Sequence, residues 1–183
     1  MRSNDTAVAD TRRWLELAVV GLNLCPFAKA VMVKQQVHIV ATPVEDGQSI
    51  LDDFAHELDA LVQMDADVRD TTLLVIPHGM DDFLAFHDLT ARAERLVRKR
   101  GLQGTIQVAS FHPRFVFADA DEDDIGNYTN RAPHPTLHLL REASIERAVA
   151  AFPDPAAIYE ANMERLRQLG RAGWEALGVG ASE

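Results

Sequence analysis

Three strand-like runs alternate with two amphipathic helical patterns in the middle of the chain, and this alternation restricts the fold more than any other feature. The predicted strands are residues 37–42, 71–76 and 105–111. The segments between them carry apolar residues at the spacing of one helix face: Leu51, Phe54, Leu58 and Leu61, then Phe86, Leu89, Ala93 and Leu96. Strands linked through helices by short connections are typical of right-handed crossovers. The sequence therefore predicts an α/β domain with a mostly parallel βαβαβ core.

The ends of the two central helices are marked by capping residues. Ser49, followed three residues later by an acid, predicts the start of the first helix. Asp81 or Asp82 predicts the start of the second, and Gly101, directly after three cationic residues, predicts its end. We therefore expect both helices to end within a few residues of the neighbouring strands.

The flanking segments predict further elements of one domain spanning residues 1–183. We expect residues 1–9 to be disordered, and an N-terminal helix to run over 10–20 from an N-cap at Asp10. Cys25 then caps a short helix that reaches about residue 33. Residues 115–117 predict a short antiparallel edge strand, which makes three or four strands in all. An acidic loop over 118–126 precedes two C-terminal helices over 137–152 and 155–177.

Composition limits the partners and the compartment. The 183-residue chain has a formal net charge of −10, and an overall field of that sign repels nucleic acids and anionic membranes, so neither is an expected partner. Cys25 is the one cysteine, which excludes an intrachain disulfide. Residues 1–10 are polar and have no apolar signal-peptide core, so we expect a cytoplasmic protein.

Two histidines directly follow predicted strands, where ligands of parallel α/β folds bind. His78 follows the second strand and His112 the third, so both lie at the carboxyl edge if the strands are parallel. Pro113 restricts the backbone of His112 to extended conformations and stiffens the position of its imidazole. His112 is therefore a candidate site residue. The alternative for both histidines is a loop side chain that only hydrogen-bonds the backbone.

Cys25 is a candidate for nucleophilic chemistry because of its expected place at a helix N-cap. Unpaired N–H groups and the positive end of the helix dipole favour the thiolate there. The alternative is a buried, inert thiol among Leu24, Pro26 and Phe27.

A basic segment, residues 126–141, is the most unusual part of this acidic chain. Two prolines hold it extended, and Thr136 then caps the expected helix. Asn130, Arg131 and Thr136 beside a helix N-terminus form the chemistry of a carboxylate or phosphate site. His138 and Arg141, three residues apart, would share one face of the first helical turn. Alternatively, both arginines pair with the carboxylates of residues 121–124 and the prolines form only a linker.

Four stretches of the sequence resemble the bacterial family "domain of unknown function 1415": residues 24–28, 111–113, 130–133 and 135–141. The resemblance extends over about residues 14–174. It implies a small bacterial cytosolic protein and no particular activity. Six residues match the family pattern, namely Cys25, His112, Asn130, Arg131, His138 and Arg141. His134 stands where that pattern more often has an aromatic residue.

Three hypotheses follow from these residues. The first is a small enzyme acting on a small anionic metabolite, with His112 or His138 as general acid and base and Cys25 as nucleophile or polar wall. Its anion-binding residues would be Asn130, Arg131, Thr136 and Arg141. The second is a zinc or iron site with His112 and His138 as ligands, joined by Cys25 or His134. The third is a non-catalytic binding or accessory protein that recognises a partner through the acidic loop and the final helices. No motif implies a cofactor.

Overall fold

A four-stranded mixed sheet forms the centre of the molecule. The computed structural model describes residues 3–151 and 154–182. The strands are β1 (Val37–Ala41), β2 (Thr71–Val75), β3 (Ile106–Phe111) and β4 (Thr136–Arg141), in the order β1-β2-β4-β3. β1 pairs with β2 in parallel, and β4 pairs antiparallel with both β2 and β3. The predicted α/β class and βαβαβ core are confirmed, with a fourth strand inserted between the second and the third.

Within the described ranges, six α-helices surround the sheet. They are α1 (Asn4–Trp14), α2 (Ala28–Val33), α3 (Gly47–Gln63), α4 (Phe83–Lys99), α5 (Glu142–Ala150) and α6 (Pro155–Ala176). A π-helical segment (Leu15–Val20) continues α1, and a 3₁₀ turn (Ile125–Thr129) precedes β4. None of the described helices combines the length and apolar character needed to cross a membrane.

Two apolar layers cover the two faces of the sheet. Helices α3 and α4 pack on one face against a core that includes Leu74, Leu137 and Leu139. Helix α1 packs on the other face, where Trp14 and Leu73 belong to a second core. The strands alternate between the two layers, as the two-residue period of a strand requires.

The caps of α3 and α4 bear out one expectation and correct another. Asp82 is the N-cap of α4 and accepts a hydrogen bond from the backbone N–H of Ala85 at 2.8 Å. Gly101, with φ of 68°, follows this helix as predicted. The cap of α3 is Asp46 rather than Ser49, because the Asp46 carboxylate accepts from the N–H of Ser49 itself.

The largest correction concerns residues 136–141, which form β4 instead of the start of a helix. Leu137 and Leu139 are fully buried at two-residue spacing, and strands on both sides satisfy the backbone of the segment. Thr136 is therefore the first residue of a strand and not a helix cap. Helix α5 begins only at Glu142, and the predicted helix end at Phe152 lies outside the described residues. Residues 115–117 form no strand.

The N-terminal third also differs from expectation. Helix α1 begins at Asn4 with Ser3 as its N-cap, so residues 4–9 are helical, whereas residues 1–2 lie outside the described part. Asp10 is a buried residue inside this helix rather than its cap. Helix α2 begins at Ala28 after Phe27, so Cys25 precedes the helix and is not its N-cap.

Candidate functional site

A cleft of about 430 Å³ lies at the edge of the sheet where β3 ends and β4 begins. Its walls come from the loop after β3, the segment that leads into β4, Trp174 of α6 and residues 179–181 near the C-terminus. Volumes of this size accommodate small molecules. His78 is not among the residues described as lining the cleft.

His112 lines the cleft and is held by two backbone hydrogen bonds. Its Nδ1 accepts from the N–H of Arg114 at 3.0 Å, so the ring proton lies on Nε2, which donates to the carbonyl oxygen of Met80 at 2.9 Å. Burial lowers the pKa of His112 and prevails over the opposing effect of the Met80 bond, and the charge of Arg114 adds to the lowering. The imidazole is therefore neutral near pH 7 and fixes the backbone at Arg114.

Arg131 also lines the cleft, and its guanidinium is partly committed to the neighbouring loop. Nε donates to the Phe115 carbonyl at 3.1 Å and Nη2 to the Glu122 carbonyl at 2.7 Å. The guanidinium carbon lies 4.6 Å from the ring centroid of Tyr128. Nη1 has no hydrogen-bond partner within residues 3–151 and 154–182. Arg131 thus binds backbone carbonyls rather than carboxylates, and only Glu122 of these two partners belongs to the acidic loop.

Arg114 supplies a second cation to the same cleft. Its side chain is exposed, and no described residue forms an ion pair or side-chain hydrogen bond with it. Among the described lining residues, Asp81 contributes the single carboxylate. The described lining therefore carries two cationic side chains and one carboxylate, in a chain whose net charge is −10.

Asn130 and Thr136 hold the backbone around the cleft and are absent from its described lining. The Asn130 carbonyl accepts from the N–H of His112 at 3.1 Å, and its Nδ2 donates to the Ser110 carbonyl at 3.4 Å. The fully buried Thr136 donates its hydroxyl to the carbonyl of His134 at 2.9 Å. Both residues shape the entry into β4, and Asn130 Oδ1 also accepts from the Thr129 hydroxyl at 3.2 Å.

His138 lies on the opposite face of the sheet from His112. The ring of His112 packs against Phe83 and Phe86 of α4, with a centroid distance of 5.2 Å to the latter. The ring of His138 instead lies 5.9 Å from Phe111, in the layer covered by α1. The sheet separates these two imidazoles.

A hydrogen bond within the sheet engages His138. The Thr71 hydroxyl donates its one proton to the Leu139 carbonyl at 2.6 Å, so its oxygen accepts from Nε2 of His138, also at 2.6 Å. Burial lowers the pKa of His138 to about 4. His138 is consequently a neutral, structural donor.

Arg141 lies at the far end of β4 from the cleft. Its Nη2 donates to the carbonyls of Leu61, Met64 and Arg69 at 2.7, 2.6 and 3.1 Å. The Leu61 and Met64 carbonyls lie at the end of α3, and the Arg69 carbonyl lies in the connection that leads to β2. The residue is thus a helix cap supplied by a strand, remote from any anion bound in the cleft.

Replacing Arg141 by methionine is expected to lower the free energy of unfolding by about 2 kcal/mol, because the carbonyls lose a charged donor. Urea denaturation measures this loss. Arg95→Met, an exposed change on α4, is the matched control. Equal stability of both variants would contradict the capping role. Weaker anion binding by Arg141→Met than by Arg95→Met would contradict the position of Arg141 away from the cleft.

Cys25 belongs to the α1 side of the molecule. It is half-buried and packs against the apolar cluster that includes Trp14 and Ala132. It is absent from the described lining of the cleft. Cys25 thus packs in an apolar cluster, as expected for an inert thiol, although Ala132 and Trp174 of the same cluster line the cleft.

The described residues contain no group of three or more His, Cys, Asp or Glu side chains placed to hold a metal ion. Two candidate ligands, His112 and His138, lie on opposite faces of the sheet. The ligand set of the zinc or iron hypothesis is therefore not assembled in this part of the chain.

The structure reveals a buried network that the sequence analysis missed. The Asp10 carboxylate, 2% exposed, accepts from His134 Nε2 at 3.1 Å, from the Ser182 N–H and hydroxyl at 2.8 and 2.5 Å, and from Arg13 at 3.3 Å. These contacts fasten the C-terminal strap, which we define as residues 178–182, to α1. Part of the strap lines the cleft. The sequence contained one signal of this network. Asp10 lies on the same face of α1 as the buried residues Ala7 and Trp14, where an acidic side chain is unusual.

The acidic loop over 118–126 is fastened to neighbouring elements. Buried Asn127 accepts from the Phe117 N–H at 3.0 Å and donates to the Asp121 carbonyl at 2.8 Å. Arg171 of α6 pairs with Asp123 at 2.9 Å. The acidic loop, which was expected to recognise a partner, therefore also supports the cleft, because the cleft residue Arg131 donates to the carbonyl of Glu122 in this loop.

Comparison with known proteins identifies the family. A family model described as "Protein of unknown function (DUF1415)" matches residues 6–176. The chain belongs to this family. The matched range runs from α1 to the last residue of α6 and so includes Arg114, Arg131 and Trp174 of the cleft. No curated protein and no solved structure matches the chain. The family description assigns no activity.

Proposed function

We propose that the protein binds a small anionic molecule, a carboxylate or a phosphate, in the cleft, with Arg131 and Arg114 holding the anion. Two lining residues carry this proposal: Arg131, whose Nη1 has no partner in the described part of the chain, and Arg114, whose side chain has none there either. Guanidinium groups suit both anions because their N–H groups match the geometry of the oxygens.

The contacts of Arg131 support its role because they fix the guanidinium in advance. Two carbonyls and the ring of Tyr128 hold it, so little side-chain entropy remains to be lost when an anion binds. Arg114 is placed by a different route, since its backbone N–H is bound to His112. His112 is thus a positioning residue for the second cation.

The geometry supports binding more strongly than catalysis. Both nitrogens of His112 are hydrogen-bonded, and a proton transfer would require one of these bonds to break. Cys25 and His138 are not among the residues described as lining the cleft. A catalytic role for these three residues, like a cytoplasmic location, stays a prediction.

Replacing Arg114 by glutamine is expected to weaken the binding of methyl phosphate and propionate about tenfold, because a charged donor worth about 1.5 kcal/mol is lost. Isothermal titration calorimetry measures the change. Arg131→Lys is expected to show a similar loss, since a point charge replaces the fixed fork.

Arg95→Gln is the matched control, because it removes the same charge from an exposed site on α4 outside the described lining of the cleft. A comparable loss in this control would mean that only the overall field matters. Unchanged affinity in both Arg114→Gln and Arg131→Lys would overturn the proposal.

A further inference from the structure

We infer that the molecule bound in the cleft carries a flat apolar ring beside its anionic group, and that Trp174 selects for that ring. This inference rests on the anion binding proposed above. Apolar residues that line the same cleft support it.

The cleft that contains the two arginines is also lined by rigid apolar side chains. Trp174 lines it together with Pro113, Pro133, Pro135 and Val179. Prolines present a fixed hydrocarbon surface, and an indole buries a large area with few rotatable bonds. Such a wall favours a flat apolar body and gains little from a strongly hydrated one.

A break in α6 lies four residues before Trp174. Gly170 has φ of 65°, a left-handed conformation that interrupts the helix before Trp174. The indole then lies edge-on to Tyr128 at a centroid distance of 5.1 Å. The guanidinium carbon of Arg131 lies 4.6 Å from the centroid of the same phenol ring, so Tyr128 contacts both the cation and the indole.

This spacing fits a ring and an anion within one small molecule. An anionic group at Arg131 and Arg114 would leave the rest of the molecule within reach of Trp174 and the prolines. Two arginines and the carboxylate of Asp81 leave one net positive charge in the described lining, which balances one anionic group better than a chain of several phosphates. The ligand class is therefore an aryl carboxylate or an aryl phosphate monoester.

Three probes separate the contributions of ring and anion: phenyl phosphate, methyl phosphate and phenol. Calorimetry is expected to show phenyl phosphate binding at least about tenfold more tightly than methyl phosphate, because the ring contacts Trp174. Phenol, which lacks the anion, is expected to bind at least about tenfold more weakly than phenyl phosphate.

Variants of Trp174 locate the preference. Trp174→Leu is expected to abolish the difference between phenyl and methyl phosphate, whereas Trp174→Phe keeps an aromatic ring and retains most of it. Tyr159→Leu, an exposed aromatic change on the same helix outside the described lining, should leave it unaltered. Phenyl phosphate should also change the tryptophan emission of the unmodified protein but not of Trp174→Phe, whose remaining Trp14 is 1% exposed.

The outcomes distinguish this inference from the proposed function. Equal affinity for phenyl and methyl phosphate, with both sensitive to Arg114→Gln, would overturn the ring preference and leave anion binding intact. Retention of the full preference in Trp174→Leu would overturn the role of Trp174. Phenol binding as tightly as phenyl phosphate would overturn anion binding, and no binding of any probe would overturn both proposals.

Discussion

Replacing Asp10 by alanine is expected to lower the free energy of unfolding by about 3–5 kcal/mol near neutral pH, the cost of leaving buried polar partners without their carboxylate. Asp10 and His134 are 2% and 1% exposed, so water cannot replace the lost contact. The N–H and hydroxyl of Ser182 lose their acceptor at the same time. Urea denaturation followed by circular dichroism measures the change.

The same network gives Asp10 a pH dependence of known sign. Burial alone would raise the pKa of Asp10, but the hydrogen bonds from Ser182 and the bond and charge of His134 outweigh it, so the pKa lies below its ordinary value. A lowered carboxyl pKa stabilises the folded state above the pKa of the unfolded chain, about 4. This stabilisation is lost as the pH falls from about 4 through the lower pKa of the folded protein.

Asp5→Asn provides the control, because it removes the same charge from an exposed position on α1. Asp10→Asn keeps an acceptor oxygen and is expected to cost less than alanine, about 2 kcal/mol. Both Asp10 variants should also weaken anion binding, because the strap they release lines the cleft. A loss below about 1 kcal/mol for Asp10→Ala would show that the network contributes little.

His138 is expected to make the protein lose about 3 kcal/mol of stability between pH 7 and pH 4. The folded protein keeps this imidazole neutral, with a pKa of about 4, whereas the unfolded chain takes up a proton near its ordinary value of 6.5. The unfolded state therefore binds more protons as the pH falls through this window. Stability is fully present above about pH 6.5 and declines towards pH 4.

His138→Gln tests this prediction, since glutamine can still donate to the Thr71 hydroxyl but does not titrate. Between pH 7 and pH 4, the free energy of unfolding of this variant should fall by about 3 kcal/mol less than that of the unmodified protein. The exposed His56 provides the control variant His56→Gln, whose pH profile should follow the unmodified protein. A profile of His138→Gln that coincides with the control would refute the buried, neutral state.

Local periodicity was sufficient for the part of the fold in which each segment has one consistent pattern. The three predicted strands agree with β1, β2 and β3 to within one residue at either end. The stripe from Leu51 to Leu61 is buried on α3, because an amphipathic helix beside a sheet has one face to bury. The cap at Asp82 was also predictable, since its hydrogen bond is to a residue three positions away.

The candidate site was less predictable because its parts come from distant segments. His112 and Arg131 do line one cleft, and the sequence analysis placed His112 at the edge of the sheet. Cys25, His138 and Arg141 lie elsewhere, although the sequence analysis grouped them with the site. Spacing along the chain could not reveal which side of the sheet each residue would occupy.

The amino-acid sequence by itself determined the α/β class, the positions of three strands and the two helices between them, because the patterns responsible span only a few residues. The tertiary structure decided that residues 136–141 pair between β2 and β3 as a strand, since that segment suits a helix by local preference. Two neighbouring strands supply its backbone partners, and this pairing sends His138 and Arg141 away from the cleft. The strap bound to Asp10 likewise depends on contacts about 170 residues apart in sequence, which no local pattern encodes.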